Sequence, residues 1–357
     1  MTICVLGKNL TALLISKILV NKGLKVDIFF RDKNKERKNS RTIGLSNNSV
    51  DFLEKEKIFI KKNCWSIKKI NLYKGKEIKK FLSFNPTNNC FFITYYSKLY
   101  NLIESNLKKN NLIKFYKKKQ DNSLKFLNHN YELIINTETH NKLSKKYFNK
   151  QIKKDYKSTA YTTIITHSKL LNNVAEQYFT TYGPIAFLPI SNHKTSVVFS
   201  LLNKNLIGAE NKIVMVIREF ANKYKIKNVD ALEKFPINLF LSRNYYHKNV
   251  LSFGDALHKI HPLAGQGFNM TIRDASKLSS MIQDKLDLGL TLDGVLKNFE
   301  SSRKDNNFLF ALGIDFIHEF FKLSNKYDIK YTDRFLNYLD KNNLIKNKLQ
   351  NFANLGF

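Results

Sequence analysis

The stretch Phe253–Asn269, which reads FGDALHKIHPLAGQGFN, decides the fold of this chain. Residues 250–253 read as a buried strand that stops at Gly254-Asp255, and Gly265-Gln266-Gly267 precede apolar residues at helical spacing. A helix therefore begins at a glycine-rich loop, where free backbone N–H groups attract negative charge. Asp255 follows the strand and can accept hydrogen bonds from ligand hydroxyls. The alternative interpretation is a glycine-capped loop with a solvated aspartate.

The start of the chain has the order of a dinucleotide-binding fold. Residues 3–6 read as a strand, 10–22 as a helix and 24–30 as a second strand, which is an opening βαβ unit. Between them lies Gly7-Lys8-Asn9-Leu10-Thr11-Ala12, where a dinucleotide fingerprint has G-x-G-x-x-G. Asn tolerates a positive φ better than other non-glycine residues, and Ala is a common substitute at the third position. We therefore predict that Gly7, Asn9 and Ala12 border a cofactor.

The acidic residue that should close the second strand and bind ribose hydroxyls is absent. Its expected position falls at Phe30, which is followed by Arg31 and Asp32. Asp32 could substitute if the strand end shifts; its alternative interpretation is a solvated turn aspartate.

The rest of the pattern predicts an α/β fold: a Rossmann-like nucleotide-binding domain with an inserted antiparallel-sheet domain and a helical C-terminal region. Residues 95–110 read as a helix and 133–135 as a strand that returns to the first sheet. Alternating runs between 156 and 247, with a helix near 211–224, indicate an antiparallel sheet. The predicted domains are 1–155 with 248–300, 156–247 for the inserted domain, and 301–357 for the C-terminal helices.

The quoted stretch resembles the second FAD-binding motif of the flavin-dependent aromatic hydroxylases, the p-hydroxybenzoate hydroxylase-like family. The closer resemblance is to its ubiquinone-biosynthesis branch, which includes 2-polyprenyl-6-methoxyphenol hydroxylase-like enzymes. That motif commonly reads GDAAHxxHPxAGQGxN, and here only Leu257 replaces one alanine. The resemblance continues over residues 41–53 (the arginine segment), 178–190 (FxxxGPxAxLPL), 299–305 (YxxxRxxD) and 344–357 (the usual ending). A third motif, DGxxS, aligns with residues 138–142, where only the acidity of Glu138 is kept.

The resemblance implies a discontinuous FAD-binding domain and an oxygen-transfer function. Enzymes of this family reduce FAD, form a flavin C4a-hydroperoxide with O₂ and hydroxylate an electron-rich phenol ring. Asp255 would hold the ribityl chain, the backbone of Gly265–Gly267 would face the flavin's pyrimidine end, and Arg41 would contact the phosphates. The predicted cofactor-binding residues are Gly7, Asn9, Ala12, Arg41, Gly254, Asp255, Gly265, Gln266, Gly267 and Asn269. NAD(P)H is a candidate electron donor.

The loop between strand and helix carries two histidines and a proline. His258 and His261 are three residues apart and could share a helical face, which admits metal binding, proton transfer or structural hydrogen bonding. The absence of a convincing third ligand favours the structural role, and we predict no metal site. His261 and Pro262 are the candidate catalytic residues, with Pro262 fixing the loop against the ring. Residues 183–189 would form part of the substrate wall.

Composition limits the cellular setting. The formal charge is +31, but the lysines are scattered; a compositional bias of the source genome, a polyanion surface and contact with an anionic membrane are the three interpretations. We predict no nucleic-acid partner.

Cys4, Cys64 and Cys90 have no metal-ligand spacing and are expected to be reduced, and the chain opens in a strand without an export signal, which favours a cytoplasmic protein. The longest apolar run, 308–321, is interrupted by charges and reads as a buried amphipathic helix or as a membrane or partner contact.

Three functions remain open. The favoured one is an FAD-dependent monooxygenase that hydroxylates a polyprenylated phenol in ubiquinone biosynthesis, peripherally on the inner face of a membrane or in a quinone-synthesis complex. The second is hydroxylation of a soluble aromatic compound. The third is a degenerate, non-catalytic family member that acts as a scaffold, an interpretation supported by the departures at Asn9, Phe30 and Thr139.

Overall fold

A computed structural model gives the structure of most of the chain. It describes residues 1–31, 41–59, 61–74, 79–84, 91–118, 121, 123–128, 131–203, 210–262 and 265–327, and then 338, 341–342, 344–345, 347–348 and 351–352. Asp32, Cys90 and most of the predicted C-terminal ending lie outside the described residues.

The secondary structure follows the predicted order. The strands are β1 (Thr2–Leu6), β2 (Lys25–Phe30), β3 (Thr42–Leu45), β4 (Trp65–Ile67), β5 (Lys69–Lys74), β6 (Lys79–Phe84), β7 (Phe91–Tyr95), β8 (Ile113–Lys117), β9 (Leu133–Asn136), β10 (Gln151–His167), β11 (Val174–Thr180), β12 (Gly183–Pro189), β13 (Lys194–Leu202), β14 (Ile226–Val229), β15 (Glu233–Ser242), β16 (Tyr246–His247), β17 (Val250–Ser252) and β18 (His258–Lys259). The helices are α1 (Leu10–Asn21), α2 (Asn47–Lys55), α3 (Tyr96–Lys108), α4 (Lys142–Tyr147), α5 (Glu210–Phe220), α6 (Gln266–Asp287) and α7 (Val295–Tyr327).

The first sheet contains the predicted βαβ unit. Its strand order is β16-β17-β9-β1-β2-β8, and all neighbours are parallel except β16. β1 lies at the centre, so its residues are almost continuously apolar, as a strand covered on both faces requires. α1 packs on this sheet with ten of its twelve residues buried. β17, which enters the quoted stretch, pairs with β9, and this confirms the predicted return of the chain to the first sheet.

The second sheet has nine strands in the order β18-β15-β10-β13-β12-β11-β5-β6, with β14 also paired to β10. Its pairs are antiparallel, apart from the parallel pair β11–β5. The predicted inserted region supplies the central strands, and β5, β6 and β18 join from outside it. Strand pairing therefore links the inserted region to both flanking parts of the chain. The domain boundaries themselves stay a prediction.

The remaining elements connect the two sheets. A three-stranded sheet, β3-β7-β4, holds the arginine segment. α7 packs its buried side, including Phe310, Ile314 and Phe321, on apolar residues of the second sheet. In the part of the chain that the structure describes, none of the helices combines the length and apolarity that crossing a membrane requires.

Candidate functional site

The site begins at the N-terminus of α6. Gly265 is the N-cap residue, with φ at 65°, and its position has no side-chain cap hydrogen bond. The next residue, Gln266, is 3% exposed, and its Oε1 has no hydrogen-bond partner among the described residues. Buried polar atoms normally have partners, so an orphan amide oxygen beside an uncapped 22-residue helix indicates a ligand position. A ligand there would offer an N–H donor and negative charge.

Asn269 joins this helix end to the arginine segment. Its Oδ1 accepts a hydrogen bond from the backbone N–H of Ser46 at 2.9 Å, and its Nδ2 donates to the carbonyl of Gly44 at 3.0 Å. A Cβ on Gly265 would lie 3.3 Å from the Gly44 nitrogen. The structure thus brings Gly265 and Asn269 against β3. Both polar atoms of the Asn269 amide are used inside the protein, so we propose that it serves the cofactor by holding the loop.

Arg41 lies beside the start of α1. Its guanidinium carbon is 4.9 Å from the centre of the Tyr96 ring, and its backbone carbonyl accepts a hydrogen bond from the Tyr96 N–H. The Tyr96 hydroxyl accepts from the Leu10 N–H at 3.3 Å. Exposed Arg41 is therefore placed near the first turn of α1, where a phosphate contact was predicted.

The first turn of α1 differs from the expected geometry. Asn9 has φ at −90°, so the positive φ expected at this position is wrong; Gly7 has the positive value, 112°. Asn9 is instead the helix cap: its Oδ1 accepts from the Ala12 N–H at 2.8 Å and its Nδ2 donates to the Thr137 carbonyl at 3.1 Å. Asparagine suits this role because its short side chain reaches the first-turn donors. The Ala12 N–H is consequently already bonded to the protein.

The turn at Gly254-Asp255 also contacts α1. Gly254 has φ at 63°, and a Cβ there would lie 2.5 Å from the Thr11 Cγ2, so the backbone packs directly on the helix. Asp255 is exposed. The predicted residues of the first and second motifs therefore meet around α1, β3 and the N-terminus of α6.

Phe30 stands at the position where an acidic residue was expected to bind ribose, and Lys8 lies over its ring. The Lys8 Nζ lies 4.6 Å from the centre of the Phe30 ring and 2.8 Å from the Glu104 carboxylate. Asp32, the predicted substitute, lies outside the described residues.

The third motif is replaced by a network of amides and hydroxyls. The Asn136 Nδ2 donates to the Ser144 Oγ at 2.7 Å, and its Oδ1 accepts from the Asn141 Nδ2 at 2.7 Å. Asn141 also caps α4 through the Ser144 N–H. These residues hold the turn after β9 without the Asp-Gly pair, and the sequence pattern gave no signal for them beyond their capping residue types.

A buried carboxylate fixes the loop that precedes α6. Asp274 is fully buried and lies 2.7 Å from both the His258 Nε2 and the Arg303 Nε, while the Asn307 Nδ2 donates to it at 3.1 Å. Burial raises the pKa of Asp274, but the hydrogen bond from His258 and the charge of Arg303 hold it below its usual value. His258 lies in β18, so the interpretation that the two histidines share a helical face is wrong, and its structural hydrogen bond is as predicted. Asp274 and Asn307 were missed.

His261 has a different environment. It is fully buried, its ring stacks on that of His318 with centroids 4.2 Å apart, and none of the four ring nitrogens has a hydrogen-bond partner among the described residues. Burial, and then the neighbouring His318, hold the pKa of His261 well below its usual value. Pro262 follows, half-buried, before the undescribed pair 263–264. His318 lies in α7, within the apolar run 308–321, and no site role was predicted for it from the sequence. Among the described residues, no group of three or more His, Cys, Asp or Glu could hold a metal ion.

Comparison with known proteins finds a family match over part of the chain. Residues 210–305 match the model of the FAD binding domain family, a segment that includes the quoted loop and all of α6. This segment is therefore similar to FAD-binding domains of that family. This match supports the FAD cofactor expected from the resemblance. It does not extend to the first turn of α1, and the discontinuous domain stays a prediction.

Two curated relatives are similar over part of the chain. One is the mitochondrial ubiquinone biosynthesis monooxygenase COQ6 of Dictyostelium discoideum, 27% identical over 172 residues that make up 46% of this chain and 34% of the relative. The other is the 3-demethoxyubiquinol 3-hydroxylase of Escherichia coli, 30% identical over 152 residues, 40% of this chain and 38% of the relative. The matched region thus spans little more than a third of the length of these relatives.

The predicted fold class is confirmed by a solved structure. Klebsiella pneumoniae HpxO, crystallised with FAD and uric acid, superposes with a TM-score of 0.72 at 13% identity and covers 99% of this chain and 96% of that one. At this identity the likeness establishes the fold alone.

The residues of the candidate site fit the two ends of FAD unequally. At α6, the uncapped N-terminus and the orphan Gln266 oxygen suit a flavin pyrimidine ring, which carries an N–H donor and gains negative charge on reduction. At α1, Asn9 uses the Ala12 N–H and Tyr96 uses the Leu10 N–H, both of which a pyrophosphate could otherwise engage. The fit is therefore good at the flavin end and hindered at the phosphate end.

Proposed function

We propose that this protein is an FAD-dependent monooxygenase that hydroxylates the aromatic ring of a polyprenylated phenol in ubiquinone biosynthesis. The observation that carries the proposal is the N-terminus of α6, where an uncapped helix end and a buried orphan amide adjoin the His261-Pro262 loop. The names of the two curated relatives support the quinone branch. O₂ would be the second substrate, and NAD(P)H or another reductant would supply electrons.

When bound, FAD supplies the oxygen-transfer chemistry. The chain's own residues would position and shield it: the α6 N-terminus would stabilise negative charge, Asp255 would accept hydrogen bonds from ribityl hydroxyls, and Arg41 would neutralise phosphate. The Asp274 cluster would hold the loop rigid, because its hydrogen bonds connect β18 to both α6 and α7.

Quinone analysis of a deletion strain tests the substrate. Loss of the gene should leave a demethoxy or deoxy quinone precursor, and the wild-type gene should restore the quinone. A normal quinone profile in the deletion strain would contradict the proposal and favour a soluble aromatic substrate, which coupled NAD(P)H consumption in the absence of lipid would detect.

A scaffold without catalysis is the second candidate, and the geometry of α1 favours it. The N–H groups of Leu10 and Ala12 in the first turn are bonded within the protein, and Lys8 and Phe30 occupy the place of a ribose-binding acid. A scaffold would be colourless, and its Asp255→Ala variant would still rescue a deletion strain.

A peripheral position on the inner face of a membrane is part of the proposal. α7 exposes a row of apolar side chains on one side, with exposed fractions of 47% for Leu309, 41% for Leu312, 69% for Phe316 and 49% for Leu323. Their spacing follows the helical repeat, so they form one stripe. Together with a net charge of +31, this stripe supports contact with an anionic membrane surface. A quinone-synthesis complex would use the same stripe.

A further inference from the structure

The pair His261 and His318 is an unexplained polar feature inside an apolar cluster. His261 is fully buried and His318 is 4% exposed. Each neutral imidazole carries one donor and one acceptor, so the pair holds two of each without partners among the described residues. Buried polar atoms rarely lack partners unless a ligand, an ion or a water completes them.

The surrounding groups are already committed elsewhere. Tyr156 lies edge-on to both rings, at 5.1 and 4.9 Å between centroids, but its hydroxyl donates to the Asp315 carboxylate at 2.8 Å. The Lys154 ammonium lies 2.8 Å from Asp315 and 3.1 Å from Glu319. Neither the tyrosine nor the lysine is therefore available to the imidazoles.

The protonation state of the pair restricts the ligand. Burial lowers the pKa of His318 to about 4. Burial and the neighbouring His318 together hold the pKa of His261 well below its usual value. Both rings are consequently neutral near pH 7, so they cannot attract an anion by charge. They can accept a hydrogen bond from a hydroxyl and donate one back to its oxygen.

The location favours a ring-bearing ligand. His261 precedes Pro262 at the loop that leads into α6, and His318 belongs to the side of α7 that packs on the second sheet. Tyr156, which lies edge-on to both rings, belongs to the apolar cluster that also contains Phe179, Ile260 and Phe321. Enclosed apolar sites in proteins bind aromatic molecules, and one hydroxyl would pair with the imidazole edges.

We propose that His261 and His318 together bind the hydroxyl group of the phenolic substrate and position its ring beside the flavin loop. This inference rests on the proposed function for the identity of the substrate, but the binding of a phenol is measurable without catalysis. His318 would act as a positioning and specificity residue.

The test compares phenol with anisole, which has the same ring without the O–H donor. Calorimetric titration of the FAD-loaded chain should give a dissociation constant for phenol at least about tenfold lower than that for anisole. The His318→Phe variant keeps a ring for stacking and removes both nitrogens, so this preference should vanish while anisole binding is unchanged. His247→Phe is the matched control, because His247 also stacks on an aromatic ring, that of Tyr147, outside this cluster.

Several outcomes would overturn the inference. The first is a preference for phenol over anisole that is as large in His318→Phe as in wild type. The second is a wild-type chain that shows no such preference or does not bind phenol. The third is a wild-type chain that binds benzoate more tightly than phenol. The last result would point instead to Arg273, whose buried guanidinium lies 4.2 Å over the Phe310 ring and lacks hydrogen-bond partners among the described residues. The titrations are repeated without FAD. A chain that binds no FAD but keeps the His318-dependent preference would contradict the proposed monooxygenase and leave the phenol site standing.

Discussion

Asn9 illustrates how one side chain changes the meaning of a glycine motif. At a position where glycine lets a pyrophosphate approach the backbone, this chain has an asparagine that caps its own helix. The substitution stabilises α1 in the absence of ligand and competes with the ligand for the Ala12 N–H. Affinity for FAD therefore depends on how easily this cap is displaced.

Replacing this cap should change cofactor affinity in a predictable direction. Asn9→Gly frees the Ala12 N–H and should tighten FAD binding, while stability falls by only about a few tenths of a kcal/mol because glycine is itself an acceptable N-cap. Asn9→Asp keeps the cap but places a negative charge near the phosphates, so it should weaken binding. Titration of flavin fluorescence measures both. Unchanged or weaker binding in Asn9→Gly would show that the cap does not compete with FAD.

Among the carboxylates of the site, Asp274 should cause the largest loss of stability when it is replaced. Asp274→Asn leaves Arg303 without its charge partner inside the protein, and removal of one partner of a buried ion pair costs about 3–5 kcal/mol. Urea unfolding measures the loss. The exposed Asp284 on the same helix supplies the control, since Asp284→Asn should stay within about 0.5 kcal/mol of wild type. Equal effects of the two variants would mean that the cluster does not stabilise the fold.

The buried histidines predict how stability depends on pH. The folded-state pKa of His318 is about 4, so between this value and the usual 6.5 the unfolded chain binds a proton that the folded chain does not. The free energy of unfolding is therefore not lowered by His318 above pH 6.5. Below pH 6.5 it declines as the pH falls, by up to about 1.4 kcal/mol per pH unit. His261 acts in the same direction. Unfolding at several pH values should show a shallower decline for His318→Phe; parallel curves would contradict the assignment.

At the scale of elements, the junction between α6 and β3 matters most for the flavin end. Gly265 and Gly289 both have φ at 65°, so an alanine at either position incurs a similar backbone cost of about 1–2 kcal/mol. Only at Gly265 would the added Cβ approach the Gly44 backbone, because the space around Gly289 is open. Gly265→Ala should therefore abolish FAD binding, and Gly289→Ala should retain it. FAD is measured by absorbance after gel filtration. Its retention in both variants would show that FAD binding does not depend on this junction.

At the scale of the whole molecule, the exposed stripe of α7 predicts binding to anionic vesicles. Phe316→Asp should reduce cosedimentation with phosphatidylserine vesicles, and added salt should weaken binding further because the attraction of the basic chain is screened. Leu171→Asp is the control, since Leu171 is an exposed apolar residue, at 81%, outside α7. An equal effect of both substitutions would exclude the stripe as the membrane contact.

Local sequence patterns predicted those strands and helices that an apolar run or a glycine position determines. The buried strands β1 and β9, the helix after Gly265 and the return of β17 follow from apolar runs and glycine positions, and the structure confirms them. The parallel pairing of β11 with β5 could not be predicted this way, because it joins residues about a hundred positions apart.

The candidate site was predicted unevenly for the same reason. Residues carried by the contiguous motif, 254–262 and 265–269 among those described, could be predicted from local spacing, and their roles toward a cofactor stay predictions. The partners that complete their hydrogen bonds or face them come from distant helices: Asn307 and His318 lie in α7, and Tyr96 begins α3. No local spacing marks such partners, since only the packing of α7 and α3 against the sheets brings them into contact.

The proposed function depends on FAD binding at the N-terminus of α6 and the turn at Asp255. The most direct test is the absorption spectrum and the FAD-to-protein ratio of the purified chain, saturated with FAD and then freed of unbound flavin. We predict a flavin spectrum with about one FAD per chain that is lost in Asp255→Ala. A wild-type chain that retains no FAD after saturation, or an Asp255→Ala variant that retains as much as wild type, would contradict it.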